Sequence, residues 1–241
     1  MDTGIYVALS KEIGIFRDME VTSNNLANMT TTGYEGENLL FKDYLVSDAT
    51  KEHKVAYAND IATYRDTEQG ALVTTGSPLD AAIQGKGYFA VETPLGTRYT
   101  RNGNFKVSPG GVLVTAEGYP VLDDSNHDIT FDQADKIVKI LDDGTVNVDG
   151  SNRGALQVAQ FDNEQLLEHV GNNLYKTTAK PKPPENYTVV NGMLESSNVK
   201  PVLALTHMMY VSRSITDTAT YISTVNTLSR KASDTLAKVY A

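Results

Sequence analysis

Residues 208–239 read MMYVSRSITDTATYISTVNTLSRKASDTLAKV, and the spacing of apolar residues in this stretch decides the fold. Met208, Val211, Ile215, Thr218, Ile222, Val225, Ser229, Ala232, Leu236 and Val239 follow one another by three and four, and eight of these ten are apolar. That is a heptad seam sustained for more than four heptads, the pattern by which one helix offers a stripe to another. A second stripe lies at the other end, where Ile5, Leu9, Phe16, Met19 and Leu26 share a helical face with Ile13 beside them. Such stripes must be buried, and the available partners are the other terminus and neighbouring subunits. The chain reads as a piece of an assembly. Ser212–Thr220 is rich in Ser and Thr, which lower helix propensity, so both ends are expected to be wholly or partly disordered in the monomer and to fold on assembly.

Between the two stripes the period changes. The first helix is stopped by Asn24-Asn25-Leu26-Ala27-Asn28 and Thr30-Thr31-Thr32-Gly33, residues that tolerate positive φ or resist helix. Residues 35–80 are mixed and polar and read as an extended connector. From Ala81 short strand-like runs alternate with turn signals. Tyr88–Val91 and Thr97–Arg101 flank Pro94-Leu95-Gly96 as a hairpin, and Asn102-Gly103, Pro109-Gly110-Gly111, Glu117-Gly118, Asp142-Asp143-Gly144 and Asp149-Gly150 punctuate the runs beyond it. A short helix is expected near 163–169, capped by Asn163, with Leu166, Leu167 and Val170 on one side. Pro181, Pro183 and Pro184 mark a boundary, and an extended return over Tyr187–Val190 leads to Asn191-Gly192 and to Pro201.

The class is therefore α+β: a central all-β domain inserted between N- and C-terminal helices that pair as a coiled coil. Its parts are a helix over 1–34, a connector over 35–80, the β domain over 81–178, a Pro-rich return over 179–200 and a helix over 201–241.

Composition narrows the function. A net charge of −9 in 241 residues, with no dense Lys/Arg run, argues against a nucleic-acid surface. No cysteine is present, which excludes disulfides, thiolate metal sites and cysteine nucleophiles. Asp2, Lys11 and Glu12 break up any secretory h-region, and no apolar run reaches the roughly 20 residues that span a bilayer.

Motifs that carry chemistry give way to plainer readings. Gly85-Lys86-Gly87-Tyr88-Phe89-Ala90 matches G-x-G-x-x-A, but it precedes a strand instead of opening a helix, so it reads as a turn and not a dinucleotide site. Asp124–Asp128, with Asp135 at the twelfth position, begins like a calcium loop, yet Ile129 stands where glycine is needed. His53, His127, His169 and His207 are scattered without metal-ligand spacing. Asp123-Asp124 and Asp142-Asp143 fall in turns, where carboxylates bond their own backbone. No catalytic, cofactor or metal residue is expected.

Four blocks, in order, carry a resemblance. Asn24-Asn25-Leu26-Ala27-Asn28-Met29-Thr30-Thr31-Thr32-Gly33-Tyr34 resembles the N-terminal signature of bacterial flagellar rod and hook proteins. Gly70 through Phe89, including Leu79-Asp80-Ala81-Ala82-Ile83-Gln84-Gly85-Lys86-Gly87, resembles that family's central motif. Tyr99–Phe105 with Gly111–Thr115 and Gly118–Val121 continues it, and Gly171–Tyr175 with Asn191–Val199 completes the set. The chain departs from the family's usual residues at Glu35-Gly36, Ala204 and Arg213-Ser214-Ile215.

The resemblance implies a structural, non-enzymatic subunit, most similar to proximal-rod members, with a distal-rod or hook-type subunit as the near alternative. It implies terminal helices packed as a coiled coil in an inner tube, a β domain outside it, and a rod that crosses the periplasm to transmit torque. It also implies export through the flagellar type III apparatus, contacts with copies of itself and with other proximal and distal rod proteins, and no membrane span. The subunit interface is then expected at Leu9, Phe16, Met19, Asn24, Asn25, Leu26, Asn28, Met208, Val211, Ile215, Ile222, Val225, Leu236 and Val239. A periplasmic enzyme with a site in the β domain is the alternative from another class, and it would need converging polar residues that the sequence does not offer.

Overall fold

The computed structural model describes residues 2–47, 54–132 and 138–239. The N-terminal stripe lies on a helix, α1 (Asp2–Ala27), and the C-terminal seam on a 39-residue helix, α2 (Pro201–Val239). Pro201 sits at the first position of α2, where its missing N–H costs nothing, and no proline or glycine follows inside the helix. The many threonines of α2 are accommodated by their own backbone. The hydroxyls of Thr206, Thr216, Thr220, Thr224, Thr227 and Thr235 each donate to the carbonyl four residues earlier, at 2.8–3.2 Å.

The chain forms two compact units. The first joins α1, α2 and an antiparallel ribbon made of Glu37–Ser47 and Lys54–Arg65. That ribbon replaces part of the connector expected over 35–80. Its strands are rich in Leu, Phe, Tyr, Val, Ile and Thr, whose β preference outweighs the interspersed polar residues.

The second unit comprises Asn28–Gly36 and Asp66–Val199 and is all β. The expected hairpin forms from Tyr88–Thr93 and Gly96–Thr100. It is the centre of a five-stranded sheet completed by Val158–Ala159, Tyr175–Lys176 and Glu168–His169. Side chains of Tyr88–Val91 alternate between two cores. Phe89 and Val91 enter a large cluster with Ile83, Leu113, Val121 and Val146, while Tyr88 and Ala90 enter a smaller one with Tyr99, Phe161 and Tyr175. A strand buried on both faces reads as an unbroken apolar run, which is why this tetrad looks so apolar in the sequence.

The return segment also contributes strands. Thr188–Asn191 pairs with Ala81–Gln84, and Met193–Glu195 pairs with Leu72–Thr74, joined by Gly192 at φ 71°. The expected helix near 163–169 is a single 3-10 turn, Glu164–Leu166, with the Asn163 side chain accepting from the Gln165 N–H. Leu167 is buried there whereas Leu166 and Val170 are exposed, so the three do not share a buried side.

Candidate assembly surfaces on the terminal helices

In the helical unit α1 and α2 run antiparallel. Asp18 meets His207, with Nε2 at 2.9 and 3.0 Å from the two carboxylate oxygens, and further back along α1 Glu12 borders a groove of about 430 Å³ lined by Ala219, Ile222, Ser223, Asn226 and Arg230. On α2 the heptad positions are the sheltered ones. Val211 and Thr218 are buried and Met208, Ile215, Ile222 and Val225 are half-buried, while Leu236 is exposed. The Val239 side chain lies outside the described residues.

The N-terminal stripe behaves differently. Among the described side chains of α1, from Val7 on, the buried positions are Ala8, Gly14, Val21 and Thr22. Three large apolar residues are exposed: Leu9 at 46%, Ile13 at 62% and Phe16 at 54%. Met19 and Leu26 are half-buried. Among the described side chains of α1, the bulky face of Leu9, Ile13 and Phe16 is the one left open to water.

A second ridge escaped the heptad reading. Leu203, Tyr210, Tyr221 and Leu228 on α2 are 64%, 70%, 52% and 60% exposed. Leu203 and Tyr221 lie eighteen residues apart, as do Tyr210 and Leu228, which is about five turns of 3.6 residues and puts all four on one line. The signal was in the sequence: Leu203 and Tyr210, like Tyr221 and Leu228, are seven apart, on a line offset from the seam that starts at Met208.

The asparagines of the N-terminal signature do different jobs. The Asn25 amide donates to the Glu37 carbonyl at 2.7 Å and accepts the Glu37 N–H at 2.9 Å, so it fastens the end of α1 to the start of the ribbon as a strand neighbour would. Asn28 accepts the Thr31 hydroxyl at 3.1 Å in the turn after α1, and Asn24 is exposed. Gly33, at φ +64°, lies so close to Arg101 that a Cβ would stand 2.5 Å from its carbonyl carbon.

The departure at Glu35 has a structural counterpart in the β unit. Glu35, Arg101 and Glu195 are all buried. The Tyr88 hydroxyl donates to Glu35 at 2.9 Å, Arg101 stands 3.4 Å from Glu195 and 4.0 Å from Glu35, and its guanidinium lies over the Tyr88 ring. Gly70 N–H donates to Glu195 at 2.9 Å. Burial pushes the Glu195 carboxyl above its ordinary pKa, against the opposing pull of Arg101 and of the Gly70 N–H, and Glu35 adds to the rise. Asn198 continues the knot. It accepts the Gly36 N–H at 2.8 Å and donates to the carbonyls of Asp66 and Glu68 at 2.8 and 3.0 Å. Glu35, Arg101 and Asn198 thus bind residues 33–36, 66–70 and 195–198 into one polar knot.

The remaining motifs fall where their plain readings put them. Gly85 and Gly87 take φ of 107° and 139° in a turn between two strands. Asp123 Oδ1 accepts the Ser125 and His127 N–H groups, and Asp143 accepts that of Thr145, which holds its carboxyl below the usual range. Asp80 accepts from Thr75 and Asn104, and Ala82 and Ile83 are fully buried behind it. His53 and Asp135 lie outside the described residues. His169 stacks edge-on to Tyr175. Among the described residues no helix is long and apolar enough to cross a membrane.

Two helices that leave large apolar residues exposed, in a chain that also holds a closed β unit, fit a structural protein built to associate. The class is shown by comparison. A family model described as the flagellar hook protein FlgE/F/G D1 domain matches residues 82–148, that of the flagellar basal body rod FlgEFG protein C-terminal matches 190–235, and that of the flagella basal body rod protein matches 17–34. The chain is 34% identical to the flagellar basal-body rod protein FlgF of Caulobacter vibrioides over 244 residues, 99% of this chain and 100% of that one. It is 32% identical to FlgF of Mesorhizobium japonicum over 98% of each chain, and 34% identical to FlgG of Caulobacter vibrioides over 87% of this chain and 90% of that one. The chain belongs to the flagellar basal-body rod proteins of the FlgE/F/G family, with FlgF relatives matching it end to end. It is a structural rod subunit of the flagellar basal body.

Proposed function

We propose that the chain is a subunit of the proximal rod, polymerising through its terminal helices into the drive shaft that carries motor torque across the periplasm. The observation that carries this is the pair of exposed apolar ridges, Leu9–Phe16 on α1 and Leu203–Leu228 on α2, on a unit whose own core is thin. In the assembled rod α1 and α2 pack as a coiled coil along the seam from Met208 to Val239. Leu9, Phe16, Met19, Asn24, Asn25, Leu26, Asn28, Val211, Ile215, Ile222, Val225 and Leu236 belong to that inner tube and its subunit contacts. Close-packed interfaces deform little, which is what a shaft under torsion requires.

A β domain outside the tube and terminal helices that order on assembly belong to the same reading. So do export through the flagellar type III apparatus, contacts with copies of itself and with the distal rod, and the absence of catalysis. The FlgG likeness supports a distal position as the second reading. Electron microscopy of basal bodies from a strain lacking the gene tests both. Rods truncated near the inner membrane, restored by the intact gene, are the expected result. Truncation near the outer end would transfer the chain to the distal rod, and complete rods would end the proposal.

A further inference from the structure

The rod reading leaves open which faces of neighbouring copies meet, and any assignment of those faces rests on that reading. The α1 ridge places Leu9, Ile13 and Phe16 at i, i+4 and i+7 and is followed by exposed Glu20, which has Arg17 of its own helix 3.5 Å away at the surface. The start of α2 carries Leu203 and Tyr210 with Val202 and Met209 beside them, 75% and 56% exposed. Leu9 to Phe16 and Leu203 to Tyr210 each span seven residues, about 10 Å of helix, so the two ridges match in length.

Copies related by rotation about a rod axis and translation along it keep their axial direction. Because α1 and α2 are antiparallel within one chain, a neighbour's α1 must meet this α2 antiparallel. Two registers then align the apolar pairs. In one, Phe16 faces Leu203 and Leu9 faces Tyr210, which sets Glu20 beside Lys200, an exposed cation at the head of α2. In the other, Phe16 faces Tyr221 and Leu9 faces Leu228, which sets Glu20 against exposed Asp217. Opposite charges favour the first and like charges oppose the second. Val202 and Met209 also widen the apolar surface only in the first.

We infer that the α1 ridge of one copy seats on the Val202–Tyr210 face of the next, with Glu20 paired to Lys200. The contact is heterologous, one face of each copy against a different face of its neighbour. It therefore propagates instead of closing into a two-fold dimer.

The absence of cysteine makes the test clean. Basal bodies containing Phe16→Cys/Leu203→Cys chains, oxidised in place, should yield disulfide-linked dimers and higher multimers, because facing helices bring such pairs within bridging range. The Phe16→Cys/Tyr221→Cys chain should stay monomeric. Independently, Glu20→Lys and Lys200→Glu should each lower the rod yield several-fold, and the double reversal should restore it. Multimers from the Tyr221 pair, or none from the Leu203 pair in basal bodies that contain the chain, overturn this face assignment and leave the rod reading intact. If the cysteine chains do not enter rods, the charge reversals decide, and failure of the double reversal to restore yield overturns the assignment. Absence of the unmodified chain from purified basal bodies overturns the rod reading and this inference together.

Discussion

The β unit and the helical unit spend their apolar residues in opposite ways. In the β unit Ile83, Phe89, Val91, Leu113, Val121 and Tyr175 are all but sealed from water, on both faces of a sheet. In the helical unit few apolar side chains are fully buried, and Leu9, Phe16, Leu203 and Tyr210 stand in water. Isolated helices gain little from propensity, and these two rest on a shared face and, for α1, on the ribbon. The β unit closes its own core, whereas the helical unit is completed by something outside the chain.

The largest losses are expected in the β unit. Phe89→Ala empties the centre of its larger cluster and should cost about 3–5 kcal/mol, seen as a large drop in the thermal midpoint of the purified chain. Arg101→Met should cost a similar amount, about 3–5 kcal/mol, because it leaves Glu35 and Glu195 buried together without their cation. If either variant unfolded at the unmodified midpoint, the β unit would not be the self-sufficient half of the molecule.

The same knot gives the β unit a pH dependence. Burial raises the Glu195 pKa, so the folded chain holds a proton that the unfolded chain has already released. The stability this group contributes is complete below its ordinary, unfolded-state value and is lost as the pH climbs through the raised folded value. Glu195→Gln should flatten that decline in a series of melting curves taken upward from about pH 4. A decline of unchanged steepness would mean that another group carries it.

Smaller effects are expected in the helical unit. Asn25→Ala removes a donor and an acceptor from the Glu37 backbone and should cost about 1–3 kcal/mol, read as faster hydrogen exchange in Glu37–Ser47 with the β unit unaffected. Exchange that rises equally in both units would contradict their separation.

Legibility in the sequence followed the same division. The β hairpin at 88–100, the seam on α2 and the turn at Asn191-Gly192 were readable because each rests on neighbours in the chain: an alternation, a three-four spacing, a turn dipeptide. The ribbon over 37–65 was not, because its polar residues hide a strand pattern that only pairing completes. Nor was the Glu35–Arg101–Glu195 knot, whose members come from three segments far apart in the chain and meet only in the folded β unit. The N-terminal stripe was correctly located on a helix, but spacing alone does not say which side faces inward. Ala8, Gly14 and Thr22 are buried there, and Leu9 and Phe16 are left outside.

The smallest effect on the isolated chain is the most telling. Phe16→Ser alters a half-exposed residue that supports no core, so the thermal stability of the monomer should change by no more than about 0.5 kcal/mol. Val91→Ser, made for contrast in the β unit, should cost several times as much. In cells the ranking should invert. A Phe16→Ser chain should fold, remain soluble and yet fail to enter rods, because the surface it loses is needed only between copies. Phe16→Leu, which keeps the apolar ridge, should restore assembly without changing the monomer. If Phe16→Ser chains entered rods normally, the exposed ridge on α1 would have no assembly role, and the contrast between a closed unit and an unfinished one would have to rest on α2 alone.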